Sequence, residues 1–273
     1  MNTSKFTDFV SIVKKLRREC PWDREQTNDS IKHSTIEEAY EVVEAIDNND
    51  YEELKKELGD LLLHVVFHSV IAEGMSKFTI DEVIDSITEK LIRRHPHVFG
   101  NVNVKDAEHV KRNWENSKLK EGREYILEGV PETLPALQRA HRLQEKAAKV
   151  GFDWENKSAV WKKVIEEIEE MHEMEKLKSR ISKPKADQPS VEELKSEINE
   201  KLENEVGDVF FALVNYSRFL GINPENALRK TNRKFIERFK FVEDKLKAIG
   251  KSPADSSLEE MDKYWNESKN SIS

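Results

Sequence analysis

Apolar residues recur at helical spacing along most of the chain. Near the start, Phe6, Phe9, Val10, Val13 and Leu16 follow the i, i+3, i+4 pattern of an amphipathic helix. No segment shows the sustained alternation of apolar and polar residues that predicts a strand. The periodicity therefore predicts helices over residues 4–19, 34–48, 50–73, 79–94, 106–121, 135–149, 157–178, 190–220, 224–249 and 258–268.

Polar and proline-containing segments divide these helices. EGVPETLP (128–135) predicts a boundary between domains at 1–128 and 129–273, with a connector helix within 129–150. SRISKPKADQPS carries two prolines and no helical stripe, so residues 179–190 are predicted to form an inserted loop. Ser34 and Glu37 form a capping-box pattern that predicts a helix start at Ser34.

The composition supports an all-α fold and narrows the partners. Charged residues make up 36% of the chain, with only 9 glycines and 8 prolines, which favours helices over sheets. A net charge of −8 argues against general binding to nucleic acid or anionic membranes. One cysteine, no signal-peptide pattern and no apolar run of about 20 residues predict a cytoplasmic protein without membrane spans.

The two halves of the chain repeat four segments in the same order. TIEEAYE, KKELGDLLLHVVFHS, ITEKLIRRH and VKRNWENSK in the first half correspond to VIEEIEE, ENEVGDVFFALVNYS, TNRKFIERF and MDKYWNESK in the second. One such match is common among Glu-rich helices, but four in order are not. We interpret the pattern as a tandem duplication of one helical unit.

Each repeat carries four carboxylates on a predicted helix pair. Glu38 and Glu41 share one helix face because residues three apart are neighbours, and so do Glu57 and Asp60 on the next helix. The short turn DNND makes the two helices antiparallel neighbours, so their acidic faces meet. The second half repeats the arrangement with Glu167, Glu170, Glu205 and Asp208.

Converging carboxylates in a partly buried site need a compensating cation. Oxygen-only ligands suit a hard divalent ion, and Mg²⁺ also bridges to phosphate oxygens. Asp60 and Asp208 adjoin long apolar runs, so the sequence predicts that both are close to the core. The preceding glycines, Gly59 and Gly207, predict a close approach of two helices, because a mid-helix glycine is otherwise unfavourable.

Basic residues and tryptophans also recur near these helices, as candidates for contacts with phosphate and base. Taken singly, each also fits an ordinary surface ion pair or a core aromatic residue. They are Lys163, Lys201, Lys234, Arg238 and Trp265 in the second half and Lys90, Arg94 and Trp114 in the first.

Two histidines stand outside the repeated pattern. Asp60, His64 and His68 lie at i, i+4 and i+8, a spacing that suits a transition metal. The second half has Ala212 and Tyr216 at the corresponding positions. The histidines are therefore not predicted to belong to the shared machinery.

The sequence resembles the MazG family of nucleoside triphosphate pyrophosphohydrolases over nearly its whole length. The resemblance rests on CPWDREQT, TIEEAYEVVEAI, ELGDLLLHVVFH, RRHPHVF, LPALQRAHRLQEKAAKVGFDW and the second carboxylate set. It implies tandem all-α domains of the MazG four-helix-bundle-like type and a homodimer. It also implies Mg²⁺-dependent hydrolysis of nucleoside triphosphates to monophosphate and pyrophosphate. Broad base specificity and a housekeeping role in the nucleotide pool are expected.

The resemblance also implies roles for individual residues. It makes the second-half carboxylates both metal ligands and catalytic groups, and it makes Glu167, Asp208, Lys163, Lys201, Lys234, Arg238 and Trp265 nucleotide contacts. In the first half it implies metal binding by Glu38, Glu41, Glu57 and Asp60, with Lys90 and Arg94 as substrate contacts. Ser34 and Glu53 stand where the second half has Lys163 and Lys201, so the second site is expected to be the hydrolytic one.

The sequence leaves the closure of the second site and two alternative functions open. Fifteen residues separate Glu41 from Glu57 but thirty-four separate Glu170 from Glu205, so the inserted segment is expected to loop out beside the second site. A helical pyrophosphatase acting on a modified nucleotide or an alarmone would carry the same carboxylates. A non-catalytic helical interaction protein would tolerate Asp208→Asn.

Overall fold

All regular structure that we describe is helical. The computed structural model describes residues 3–106, 110, 125–181 and 190–271, and every element in these ranges is a helix, as predicted. The chain forms two compact units, Met1–Ser117 and Lys118–Ser273. The predicted boundary between residues 128 and 129 stays a prediction. None of the helices in the described ranges has the length and apolarity to span a membrane.

The first unit is organised around one long helix, α4, whose C-terminal half lies in the core. Val66, Phe67, Val70 and Ile71 of α4 are buried against Val13 of α1. The N-terminal half of α4 instead packs along α3. The helices that the structure describes in this unit are α1 (Thr3–Glu19), α2 (Pro21–Glu25), α3 (Lys32–Asp47), α4 (Tyr51–Gly74), α5 (Ile80–Arg94) and α6 (Pro96–Phe99).

Turn and cap residues fix the α3–α4 hairpin. Asn49 adopts a left-handed backbone conformation with φ 54°, which asparagine tolerates better than most residues. The Asp50 side chain then accepts hydrogen bonds from the backbone N–H groups of Glu52 and Glu53, capping α4. The predicted cap at Ser34 is wrong, because α3 already begins at Lys32 and Ser34 lies within its first turn.

The second unit is a larger arrangement of the same type. Its helices α8 and α9 pack along each other, and α7 packs against α9 and α10. Val160, Val164, Ala212, Val242 and Leu246 are buried in this unit. Its described helices are α7 (Ala136–Lys149), α8 (Lys157–Ile181), α9 (Ser190–Phe219), α10 (Pro224–Ala248) and α11 (Leu258–Ser271), with a 3₁₀ turn at Pro253–Asp255.

The inserted segment lengthens the α8–α9 hairpin instead of forming a loop alone. Helix α8 continues eleven residues past Glu170 to Ile181, and α9 begins at Ser190, fifteen residues before Glu205. Buried Ile198 lies in this extension. The predicted loop over 179–190 is therefore wrong at its two helical ends, and its remaining residues, 182–189, lie outside the described ranges.

The short helices were not predicted. Helices α2 and α6 and the 3₁₀ turn span five, four and three residues, too few to show a periodic stripe. Each begins at a proline, which has the backbone angle of a first helical residue and is the one sequence signal that marks them. Of the predicted helix over 106–121, only residues 106 and 110 are among the described residues. Trp114 lies outside them.

Candidate metal and nucleotide site

Three carboxylates of the first unit converge where α3 and α4 pack together. Glu38 and Glu41 come from α3 and Glu57 from α4, and one oxygen of each lies within 4.8 Å of the others. Glu57 is buried, Glu38 is half-buried and Glu41 is exposed. We call these three residues the N-terminal cluster. The helical spacing and the tight turn bring the residues together as predicted.

Crowding and burial make the N-terminal cluster hard to ionise fully. Burial, a hydrogen bond with Glu53 and the charge of Glu41 raise the pKa of Glu57 to about 7. Burial, followed by the charges of Glu41 and Asp60, also raises the pKa of Glu38. Without a cation, the cluster therefore holds a proton near neutral pH.

The second unit repeats the geometry between α8 and α9. Glu167, Glu170 and Glu205 place one oxygen each within 4.8 Å of one another. Glu167 is only 8% exposed, while Glu205 is half-buried and Glu170 exposed. Burial and hydrogen bonding to Glu167 raise the pKa of Glu170. We call these three residues the C-terminal cluster.

The two aspartates and their glycines are not placed as predicted. Asp60 and Asp208 are exposed, and neither belongs to the sets of oxygens within 4.8 Å. Asp60 lies one turn after Glu57 on α4, and Asp208 lies one turn after Glu205 on α9. The buried carboxylates of the two clusters are Glu57 and Glu167. A Cβ atom built on Gly59 or Gly207 would meet nothing within 4 Å, so close helix approach does not explain these glycines.

Lys163 contacts the C-terminal cluster directly. Its Nζ lies 2.8 Å from Glu167 Oε1 and 2.7 Å from Glu166 Oε1, and these two carboxylates raise its pKa. The lysine therefore stays charged beside a buried carboxylate. Lys201 points elsewhere, because its Nζ pairs with Glu197 Oε1 at 2.8 Å, one turn before it on α9.

The other predicted nucleotide contacts of the second unit lie on α10 and α11. Lys234 is exposed and Arg238 is half-buried on α10. Trp265 of α11 packs against Phe235 with ring centroids 5.2 Å apart. These rings, with Val242, line a mainly apolar cavity of 290 Å³ between the two helices.

In the first unit, Lys90 and Arg94 lie on one face of α5. Both side chains are half-buried, and α5 packs against α4, the helix that carries Glu57. Their i, i+4 spacing is as predicted, and their role in substrate binding stays a prediction.

A residue outside the predicted set adjoins the N-terminal cluster. His64 Nε2 lies 3.9 Å from Glu38 Oε1. The spacing from Asp60 to His64 places both on one face of α4, which was the available sequence signal. The second repeat has Ala212 at the corresponding position, so the comparison of the repeats did not predict a role for His64.

The donor set of both clusters fits a hard divalent cation. All six side chains offer carboxylate oxygens, the ligand type that Mg²⁺ prefers. Two oxygens bound to one Mg²⁺ at about 2.1 Å are at most about 4.2 Å apart, so side chains within 4.8 Å need only small movements. Burial, and after it the neighbouring carboxylates, raise the pKa values of Glu38, Glu57 and Glu170, and a bound cation would offset both effects.

Comparison with known proteins gives the same family for both units. The family model described as "MazG nucleotide pyrophosphohydrolase domain" matches residues 26–99 and 155–242. These ranges contain both carboxylate clusters. A crystal structure of a mazG-related protein from Thermotoga maritima aligns with 41% of this chain and 98% of its own, at 24% identity and a TM-score of 0.38.

Individual relatives extend the match to nearly the whole of this chain. "Nucleoside triphosphate pyrophosphohydrolase/pyrophosphatase MazG" of Thermotoga maritima is 42% identical, over 97% of this chain and 95% of its own length. "Nucleoside triphosphate pyrophosphohydrolase" of Escherichia coli K12 is 39% identical, over 96% and 95%. "Uncharacterized protein YabN" of Bacillus subtilis is 47% identical, over 97% of this chain and 52% of its own. The chain belongs to the MazG family of nucleotide pyrophosphohydrolases.

Proposed function

We propose that this protein hydrolyses nucleoside triphosphates to nucleoside monophosphates and pyrophosphate at the C-terminal cluster. The supporting observation is the convergence of Glu167, Glu170 and Glu205 within 4.8 Å beside Lys163. The relatives from T. maritima and E. coli bear the name of this activity. Oxygen ligands next to a charged lysine suit a metal-bound triphosphate better than a protein partner.

Mg²⁺ is the proposed cofactor, held by Glu167, Glu170 and Glu205. Asp208, exposed one turn beyond Glu205, is the proposed fourth ligand on the solvent side, where a substrate would approach. When bound, Mg²⁺ supplies charge stabilisation for phosphate oxygens and lowers the pKa of bound water. The N-terminal cluster, with Asp60, is proposed as a second cation site.

The chain's own groups then direct the hydrolysis. One carboxylate of the C-terminal cluster orients a water molecule and takes its proton as the water oxygen bonds to the α-phosphorus. The bond from that phosphorus to the bridging oxygen breaks, and pyrophosphate leaves. Lys163 stabilises charge on the phosphate oxygens, and we assign the same role to Lys234 and Arg238. Lys201 would take this role only on leaving Glu197.

Base binding is proposed at the cavity beside Trp265. An aromatic wall accepts any base by stacking, because every base has a flat π-face. This agrees with broad base specificity. In the first unit, Lys90 and Arg94 are proposed as the corresponding phosphate contacts. Homodimer formation remains a prediction of the resemblance, and a cytoplasmic location remains a prediction of the sequence composition.

A substrate panel with product identification tests the proposed reaction. We expect purified protein with Mg²⁺ to release monophosphate and pyrophosphate from several nucleoside triphosphates, and to lose activity when the cation is chelated. The panel includes modified nucleotides and an alarmone, to detect a narrower specificity. Release of orthophosphate instead of pyrophosphate would show that the reaction is wrong.

A further inference from the structure

The second unit holds another cavity that the proposed reaction does not use. It has a volume of 650 Å³ and is lined by α7, the segment after it and α9. None of the described residues that line it belongs to the C-terminal cluster. Asn215, in its wall, lies ten residues after Glu205, about 15 Å along α9 at about 1.5 Å per residue. Pockets for small molecules have volumes of about 300–1,000 Å³, so this cavity has the size of a ligand site.

The chain after α7 is held beside the cavity by its backbone and by one ion pair. Gly151 has φ 87°, a left-handed angle that ends the helix, and the N–H of Phe152 donates to the carbonyl of Ala147 at 3.1 Å. Asp153 then accepts hydrogen bonds from both terminal nitrogens of Arg218 on α9, one of them at 3.0 Å. These contacts fix this wall of the cavity relative to α9.

Three aromatic rings line the cavity and remain open to solvent. Phe152 is 82% exposed, Trp154 is 45% exposed and Phe211 is 46% exposed. Covering apolar surface of this kind is favourable, and flat rings cover one another by stacking. The lining therefore favours a planar aromatic ligand over a flexible apolar chain.

Two carboxamides of the lining each leave one polar group unused. Gln144 is only 7% exposed, and its Nε2 donates to the carbonyl of Phe211 at 2.8 Å. Its Oε1 is buried without a hydrogen-bond partner among the described residues. Asn215 Oδ1 accepts from Arg218 at 2.9 Å, and its Nδ2 donates to no residue in the described part of the chain.

The partners of these two amides fix which way each amide points. A carbonyl only accepts and a guanidinium only donates, so Phe211 selects the Nε2 of Gln144 and Arg218 selects the Oδ1 of Asn215. The lining thus offers one unused acceptor and one unused donor. A buried acceptor without a partner is costly, so Gln144 points to a ligand that carries a donor.

The charges of the lining cancel each other. Of the described residues that line the cavity, only Asp153 and Arg218 are charged, and they pair with each other. The lining therefore offers a phosphate group no unpaired cation and favours an uncharged ligand. A nucleobase combines a flat face for stacking with an edge of donors and acceptors that carboxamide side chains recognise.

We propose that this cavity binds an uncharged nucleoside. Its base stacks on the aromatic lining, donates a hydrogen bond to Gln144 Oε1 and accepts one from Asn215 Nδ2, while the ribose occupies the remaining volume. The site goes beyond the proposed function and does not rest on it, because none of these residues takes part in the proposed hydrolysis.

NMR of the tryptophan indole groups tests the site directly. The full chain has five tryptophans, and in ¹⁵N-labelled protein Trp154→Phe identifies the indole signal of the cavity. With adenosine, guanosine, cytidine and uridine as probes, we expect at least one to shift the Trp154 signal saturably, with one nucleoside bound per chain. The Trp265 signal reports separately on the proposed base site for hydrolysis. No shift of the Trp154 signal with any of the four would overturn the proposal.

Substitutions in the lining test the proposed contacts. Gln144→Met removes the unused acceptor and should raise the Kd measured at Trp154 by about tenfold or more. Ala147→Phe places a ring in the cavity and should abolish binding. Gln138→Met is the matched control, because Gln138 lies on the same helix and also makes one hydrogen bond, to Asn223, but does not line the cavity. An unchanged Kd in Gln144→Met and Ala147→Phe would contradict the proposal.

Two further comparisons test the class of ligand. The monophosphate of the nucleoside that binds should bind no more tightly than the nucleoside itself, and tighter binding would overturn the assignment to an uncharged ligand. A shift of the Trp154 signal with protein concentration alone would show that a second copy of the chain covers the cavity, and would also overturn it.

Hydrolysis assays separate this inference from the proposed function. Gln144→Met and Ala147→Phe should release pyrophosphate at the rate of the unaltered protein while they lose nucleoside binding. Binding of a nucleoside at Trp154 in a protein that releases no pyrophosphate would support this site and overturn only the proposed reaction.

Discussion

Replacing Glu205 with glutamine is expected to lower kcat for nucleoside triphosphate hydrolysis by about 10²–10³-fold. Glutamine keeps the size of the side chain but removes one negative charge from a cluster whose oxygens lie within 4.8 Å. A loss of this size corresponds to about 3–4 kcal/mol of transition-state stabilisation, typical for one preorganised electrostatic group. Steady-state kinetics with pyrophosphate detection measures the effect.

Two further substitutions decide whether the loss is specific. Glu203→Gln changes the same chemistry on an exposed part of α9 and should leave kcat close to that of the unaltered protein. Glu57→Gln alters the N-terminal cluster and should lower kcat far less than Glu205→Gln. If Glu57→Gln causes the larger loss, the hydrolytic site has been assigned to the wrong repeat.

Glu57→Gln is expected to stabilise the protein without cations and to destabilise it, relative to the unaltered protein, when cations bind. The pKa of Glu57 is raised from 4.5 to about 7, mainly by burial. Ionising this group in the folded protein is therefore unfavourable. Glutamine cannot ionise, so at pH 8 with chelator Tm should rise by a few degrees.

The sign of the pH dependence follows from proton binding. Between pH 4.5 and about 7 the folded protein holds a proton on Glu57 that the unfolded chain has lost, so stability falls as pH rises through this range. Glu57→Gln should flatten that part of the stability curve. A saturating divalent cation stabilises the folded state of the unaltered protein by mass action, and glutamine weakens this gain.

Thermal unfolding at several pH values, with and without cation, checks the expected crossover. Glu37→Gln, an exposed position on α3, serves as the control and should show no crossover. A lower Tm for Glu57→Gln in chelator at pH 8 would mean that the Glu57 carboxylate stabilises the metal-free fold, contrary to our account.

Local periodicity was sufficient to predict the long helices that the structure describes and the meeting of the carboxylates. Residues three apart must share a helix face, and DNND is too short to join anything but antiparallel neighbours. Glu38, Glu41 and Glu57 therefore come together in the structure. Repetition in the second half gave the same answer independently for Glu167, Glu170 and Glu205.

Burial within a helix pair was harder to predict, because it depends on how each helix is rotated about its axis. Apolar runs next to Asp60 and Asp208 suggested that the aspartates were buried, but the helices turn Glu57 and Glu167 inward instead. Lys201 likewise lies within reach of more than one glutamate, and sequence spacing cannot choose between Glu205 and Glu197. The structure selects Glu197.

Contacts between distant segments were beyond reach from the sequence. The hydrogen bond from His68 to Asn28 joins residues forty positions apart and depends on how the segment before α3 folds back. The extended α8–α9 hairpin was also missed, since prolines in the inserted segment suggested a loop. Helix propensity in the flanking Glu- and Lys-rich sequence continues both helices instead.

Hydrolysis in ¹⁸O-labelled water tests the central claim most directly. If a carboxylate of the C-terminal cluster directs water to the α-phosphorus, the nucleoside monophosphate will gain one ¹⁸O and the pyrophosphate none. Mass spectrometry of both products measures this in a single turnover. Label in pyrophosphate or in orthophosphate would place the attack at another phosphorus and contradict the account.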